Sequence, residues 1–431
     1  MKGLMFALIV LLFAGNTLAA QEGFGFDDED GAVGASAGLS VPSVKISGEA
    51  GVSLTGFIDD FDDAAKVNMG DVFSGKLNFS ASGTSADAVI NLKLKPSATP
   101  FSLDEAYVRA FFGSLSIEGG LRKLTWGRAD TLGPLDVINP LDYSDLTGIN
   151  DASTLKIARP LLHASYTFGS FTKLEAVFVP LFEGHRLATT GRWMTSGITL
   201  QTPDTFNLKY AGAGMRFTTT ISSADIGAQY YYGHLFNIAI SNITPIVDMT
   251  TNPPNITGMS ANIDYNRYHQ IGVDYAQVLV GFNVRAEFAA NLTEDLAGDD
   301  ATVYNPHLAW SLGFDRDLFW GINANIEGVG TVRLFDSAIN PLFDVEAGTD
   351  MTATRIIARL SKKFLRDELE LQLAGMWNIE AGDFILIPVI TWTKGDIELE
   401  LSAGIFGGDE KGQFGQYHKN NFVKVAMTYT F

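Results

Sequence analysis

His163 and Ser165 stand two residues apart in Leu161-Leu162-His163-Ala164-Ser165-Tyr166, so in extended backbone their side chains share a face. A histidine beside a serine hydroxyl is a minimal hydrolase pair, general base next to nucleophile. The same alternation turns both side chains to the polar face of a strand, where two polar residues need no catalytic reason. The other histidines (His185, His234, His269, His307 and His418) are scattered, and no HExxH or P-loop motif accompanies them. The absence of cysteine removes disulfides, thiolate metal sites and cysteine nucleophiles together. Asp27-Asp28-Glu29-Asp30 is acidic enough to attract a cation, but the ligand spacing of a calcium loop is absent. The expectation is a protein without catalysis, cofactor or metal.

The remaining chemistry is that of charge. Lys and Arg number 30 against 49 Asp and Glu, a net charge of -19, which argues against a nucleic-acid partner. Charged residues make up 18% and aromatics 11%, the composition of a folded chain. At roughly 150 residues per domain, 431 residues would make two or three soluble domains or one large β-architecture. Lys2, the apolar run Leu4–Ala14 and the small residues up to Ala19-Ala20 read as a signal peptide over 1–20, a better reading than a membrane anchor because the run is short. Nothing after it is long and apolar enough for a transmembrane helix.

Period-two alternation fills the rest, as in Glu368-Leu369-Glu370-Leu371-Gln372-Leu373 and Ile397-Glu398-Leu399-Glu400-Leu401. Eighteen strands are expected, with sixteen as the alternative count. They begin near residues 43, 72, 86, 102, 115, 157, 171, 207, 223, 265, 278, 307, 320, 351, 367, 383, 397 and 421. Most run about 10–13 residues, enough for a tilted membrane strand. Tight turns such as Gly113-Ser114 and Gly169-Ser170 alternate with long connections, and Phe112, Phe168, Phe171, Phe314, Phe319, Trp320 and Phe364 lie beside the tight ones. The expected fold is therefore all-β, a transmembrane antiparallel up-and-down barrel over 43–431. Its short turns would be periplasmic and its long loops extracellular, in the bacterial outer membrane and among its lipids. Residues 21–42 would form an acidic, Gly-rich periplasmic tail or a small plug. The last strand ends Tyr429-Thr430-Phe431, which resembles the C-terminal signal read by the barrel-assembly machinery.

With apolar residues facing lipid, the polar set faces a lumen. Lys93, Lys95, Arg109, Arg122, Arg159 and Lys173 make a basic side and Glu368, Glu370, Glu398 and Glu400 an acidic side, roughly opposite each other in an eighteen-stranded ring. Two such walls make a transverse field that aligns solutes. Simple cross-strand pairing, with Glu105, Glu118 and Glu175 among the cations, is the alternative. The acidity of the chain then belongs to loops, such as Asp59, Asp60, Asp62 and Asp63. Arg128–Lys156, with Pro134, Pro140 and several aliphatic residues, is the candidate constriction loop, and Trp126, Arg128, Asp130, Asn139, Pro140 and Asp142 are its candidate site residues. Loop 235–264 would also fold inward or cover the mouth.

The stretch Gly120-Leu121-Arg122-Lys123-Leu124-Thr125-Trp126-Gly127, followed by Val137-Ile138-Asn139-Pro140-Leu141-Asp142, resembles the Gly-Arg-Gln…Trp-Gly…Asn-Pro-x-Asp block of a family of uncharacterised outer-membrane porin-like barrels, related in style to the alginate-export porins. Leu121-Arg122-Lys123 departs from the family's Gly-Arg-Gln. The resemblance implies a barrel with a solute path, Arg122 lining the lumen and 126–142 forming an inward loop. Three functions stay open at this stage. One is a porin-like channel for small hydrophilic or anionic solutes. The others are a gated transporter of a hydrophobic or oligomeric substrate with a loop or tail as plug, and a surface structural or adhesive barrel.

Overall fold

The computed structural model describes residues 43–58, 73–95, 100–149, 152–194, 198–250 and 255–431. The expected signal peptide and tail (1–42) and the aspartates at 59, 60, 62 and 63 lie outside the described residues.

Eighteen strands form one closed antiparallel sheet. In chain order they are β1 (Ser43–Phe57), β2 (Phe73–Ser82), β3 (Ala86–Leu94), β4 (Phe101–Phe112), β5 (Leu115–Arg122), β6 (Arg159–Phe168), β7 (Thr172–Val179), β8 (Gly212–Ile221) and β9 (Ala224–His234). The second half comprises β10 (Arg267–Leu279), β11 (Phe282–Thr293), β12 (His307–Asp317), β13 (Ile322–Arg333), β14 (Thr352–Phe364), β15 (Leu369–Asn378), β16 (Asp383–Lys394), β17 (Ile397–Gly408) and β18 (Phe422–Thr430). Each strand pairs with the next, and β18 returns to β1 with Phe422 opposite Phe57 and Thr430 opposite Glu49. Closure removes the free edges that so large a sheet would otherwise present.

Alternation sets the two faces. In β8, Gly214 and Arg216 are buried while Met215 and Phe217 are exposed on the outer wall. The outer face is apolar because, in a closed barrel whose backbone groups are all paired, lipid is the solvent that face meets. The expected aromatics stand exposed at the turn end, Phe171, Phe319 and Trp320 the most so. Turn chemistry follows need: between β10 and β11 the two-residue turn Val280-Gly281 has φ of 52° and 79°, positive at both positions as a hairpin turn of matching twist requires.

At the other end most connections are long, those from β3 to β4 and from β15 to β16 excepted. One of the long ones joins β9 to β10. It folds as a hairpin, Ala239–Asp248 against Asn255–Asp264, to which Ile198–Gln201 adds a parallel strand. Ile243, Ile246 and Val247 are exposed there. Polar-inward alternation also has exceptions where the loop packs on the wall, Val177 and Tyr231 among them. On β16, Ile385, Ile387 and Val389 point inward and are buried, because an apolar segment of the loop between β5 and β6 covers them.

Candidate functional site

The chain leaves β5 at residue 123 and re-enters the wall at β6, and between them residues 123–149 and 152–158 occupy the barrel interior. The neck is held by Asn139. Its side-chain oxygen accepts from the Leu124 N–H (2.8 Å) and its amide donates to the carbonyls of Arg122 (3.1 Å) and Ile157 (2.8 Å). The Ile157 N–H donates to the Pro140 carbonyl at 2.8 Å. Inside the neck, the Lys156 ammonium lies 2.5 Å from the Asp136 carboxylate and 2.6 Å from the Thr125 hydroxyl.

Beyond the neck the loop is fastened to β9–β13 by wall residues. Glu287 on β11 accepts backbone N–H groups of Arg128, Ala129 (2.7 Å) and Leu135 (3.1 Å). Arg128 Nε donates to Asp274 on β10 at 2.6 Å, and Asp130 takes Arg285 and the Asn325 amide. Glu327 on β13 accepts from the Thr131 hydroxyl at 2.6 Å. Gln229 and Gln270 donate to the carbonyls of Leu135 and Pro134, both at 2.9 Å. Two wall glycines make room. A Cβ on Gly272 would stand 2.2 Å from the Leu135 side chain, and one on Gly214 would stand 2.9 Å from the ring of Trp126. Trp126 is 2% exposed, packed with Leu124, Ile138, Val177, Tyr231 and Tyr268. The returning limb places Leu141, Leu146, Ile149 and Leu155 against Ile385, Ile387, Val389, Phe57 and Phe422, on the opposite flank of the interior.

What the loop leaves unfilled is a cavity of about 990 Å³ along β1–β4 and β18. Cations at its lining are Lys76, Lys93, Lys95, Lys156, Arg186, Arg192 and Lys424, against the carboxylates of Glu49, Asp104, Asp142 and Asp145. Glu49 pairs with Lys76 at 2.9 Å and Asp104 with Lys93 at 2.8 Å. The cavity reaches from Thr428, near the turn end of β18, to Arg192 in the loop between β7 and β8.

Of the expected basic side, only Lys93 and Lys95 border this cavity. Arg109 and Arg122 both pair with Glu118, and Arg122 also lies over the Tyr107 ring. Arg159 is 2% exposed and donates to the carbonyls of Ile138 and Leu181, clasping the loop neck. Lys173 pairs with Glu175 at 2.9 Å. On the acidic side Glu400 accepts from Ser402, and Glu370 lies 4.0 Å from Lys363. Glu398 shares the face of Glu400 and is exposed. Glu368 belongs to the turn before β15 rather than to the strand, and its side chain is exposed. Asp142 pairs with Arg186 at 2.9 Å, and Pro140 is fully buried. Phe431 exchanges backbone hydrogen bonds with Gly48, at 2.9 and 3.0 Å, and its ring stacks on Tyr429.

His163 and Ser165 do not bond each other. His163 sits between Glu175 (3.1 Å) and Glu118 (3.6 Å), while Ser165 pairs with the Ser116 hydroxyl. Asp274, Gln229 and Gln270 were not singled out as loop anchors, and local alternation holds no signal for them beyond an inward polar residue. The seven-residue apolar run Phe384–Ile390 did carry a signal: with both faces apolar, something must cover the inner one.

No protein-family model matches the chain, and no curated protein resembles it in sequence. Solved structures do match in shape. OccAB4 of Acinetobacter baumannii aligns at a TM-score of 0.51 and 8% identity, over 91% of this chain and 99% of that one. OpdQ of Pseudomonas aeruginosa gives 0.51 and 8%, over 90% and 97%. OpdL of the same organism gives 0.50 and 11%, over 90% and 98%. These likenesses show the fold, a transmembrane up-and-down β-barrel of the outer-membrane kind. The narrower resemblance to alginate-export-type porins is not among what they show.

Proposed function

We propose that the chain is an outer-membrane porin-like channel through which small hydrophilic solutes, anions foremost, diffuse without chemical change. The observation that carries this reading is the lysine-lined cavity beside the inward loop, with seven cations against four carboxylates, one of the seven, Lys156, being neutralised by Asp136 in the neck. A barrel of eighteen strands is wide enough for an aqueous path unless loops fill it. Here the loop, anchored on β9–β13 and packed by its returning limb on β1, β16 and β18, still leaves about 990 Å³ open. A water-filled passage with excess positive charge concentrates anions. Lys76 and Lys93, though paired with Glu49 and Asp104, border the open space together with Lys95, and these three carry the preference. Arg109, Arg122, Arg159 and Lys173 add to the same side of a transverse field whose other side is Glu370, Glu398 and Glu400, their own influence reduced by ion pairing or by burial in the neck. The likeness of the Trp126–Asp142 block to porin-like barrels supports the same placing of the loop.

In this reading the chain is exported by residues 1–20, its turns face the periplasm, and Tyr429 and Phe431 present the last strand to the assembly machinery. The test is planar-bilayer recording of the refolded protein under a salt gradient. Steady conductance with an anion-selective reversal potential is expected. The triple variant K76E/K93E/K95E should move that potential toward cations. An unchanged potential would sink the lysine assignment. Silence from a correctly folded barrel would sink the open pore and favour a gated transporter plugged by the inward loop.

A further inference from the structure

A second cavity, of about 300 Å³, lies among the loops and has a different chemistry. Five separate connections converge on it, contributing Tyr143, His185, Phe236, Tyr304 and Phe414 among others. A two-residue parallel ladder, Asp142–Tyr143 against Arg186–Leu187, divides it from the lysine-lined space. Asp142 and Arg186 border the charged cavity, and Tyr143 and Leu187 border this one.

The lining holds no Asp, Glu, Lys or Arg. Leu146, Ile149 and Ile238 supply aliphatic walls, and the His185 ring meets those of Tyr143 and Phe236 with centroids 5.4 and 5.3 Å away. Burial lowers the His185 pKa to about 4, so the imidazole is neutral. The Leu141 N–H donates to His185 Nδ1 at 3.0 Å, which leaves the ring proton on Nε2. That N–H and the Tyr143 hydroxyl have no hydrogen-bond partner among the described residues. Pockets for small molecules share this composition, apolar walls with a few unspent polar groups.

We propose that this pocket binds a small uncharged aromatic compound of the phenol class. One ring fits between the aliphatic and aromatic walls, and its hydroxyl or carbonyl meets the His185 N–H and the Tyr143 hydroxyl. No cation borders the cavity, and Arg355 is spent on Asn378 and Gln413 and over the Phe414 ring, so an anion would be stripped of water here without a charge of its own to meet. A sugar, even with the Asn237 and Gln416 amides at the lining, would turn hydroxyls toward Leu146, Ile149 and Ile238, where they find no partner. The site therefore selects a class of ligand opposite to the one the lumen favours. It goes beyond the channel reading and stands whether or not the lumen conducts.

The test is equilibrium dialysis of p-cresol, benzoate and methyl glucoside against the refolded full chain in detergent, with empty micelles as the blank. Saturable p-cresol binding is expected, with benzoate and glucoside at least tenfold weaker. Leu187→Trp fills the pocket from its rim and should weaken p-cresol at least tenfold. Gln416→Trp, at an exposed position on the same lining, repeats the test if the first variant folds poorly. Binding no greater than the micelle blank overturns the proposal. So does equal binding by both filled variants, and so does a preference for glucoside or benzoate.

Discussion

Lys156 and Asp136, twenty residues apart in sequence, meet at 2.5 Å inside the neck of the inward loop, with side chains 8% and 4% exposed. They join the outgoing and returning limbs where Asn139 closes the backbone, so the pair bears on whether the loop stays in the lumen. Lys156→Met would leave a buried carboxylate without its cation, which costs about 3–5 kcal/mol. Adding Asp136→Asn removes the charge as well and should restore most of that. Protease cleavage within 144–149 reads the outcome. The single variant should be cut much faster than the wild type and the double variant close to it.

Acid should seat the same loop more firmly. Burial is the largest cause acting on the Asp136 carboxyl and pushes it up to about 6, against the pull of Lys156. In the unfolded chain an aspartate titrates near 3.9. Between those values the folded form holds a proton that the unfolded form has released, so stability is greatest in acid and falls as pH rises from about 4 to about 6. Above that window the contribution is constant. Amide exchange of residues 124–141 should quicken across this window beyond its intrinsic pH dependence, and Asp136→Asn should lessen the extra dependence. An unchanged profile in the variant would assign it to other carboxylates.

Alternation located the strands because a membrane barrel imposes opposite solvents on the two faces, and the largest shift in a strand start has a local cause. Near residue 207 the chain makes a short 3₁₀ turn, Leu208–Tyr210, capped by the Asn207 side chain, before β8 begins at Gly212. The inward loop was legible from its prolines and homeless aliphatic residues. Its fastening was not, because Asp274 and Glu287 meet Arg128 across about 150 residues of sequence and nothing local ties them. The basic side was read as one group, yet position separates it. Arg109 and Arg122 are taken up by Glu118, and Lys93 and Lys95 border the open space.

Glu287→Ala removes the acceptor of three loop N–H groups. Each stranded N–H costs about 1–3 kcal/mol unless water reaches it, so the tip should leave the wall while the barrel stays closed. In bilayer recordings the variant should show a larger mean current with frequent brief closures. A trace as quiet as that of the wild type would mean that Arg128, Thr131 and the two glutamines hold the tip without it. Glu287→Gln keeps one oxygen acceptor and should fall between.

The seam between β1 and β18 offers the sharpest test of closure, because one strand carries both the variant and its control. At Gly48 a Cβ would stand 2.6 Å from the Lys76 carbonyl oxygen and 2.6 Å from the Phe431 ring, while Gly56, also on β1, has nothing within 4 Å of its ideal Cβ. Backbone cannot retreat from the first contact without opening the pairing of β1 with β2, and the second displaces the ring that ends β18. Gly48→Ala should cost about 1–3 kcal/mol and Gly48→Val more, as overpacking does. Gly56→Ala should cost almost nothing. The readout is the fraction of refolded protein that keeps its compact gel mobility without heating. Phe431→Ala combined with Gly48→Ala separates the two contacts. Recovery by the second change places the clash at the ring, and persistence of the defect places it at the Lys76 carbonyl, where only glycine passes.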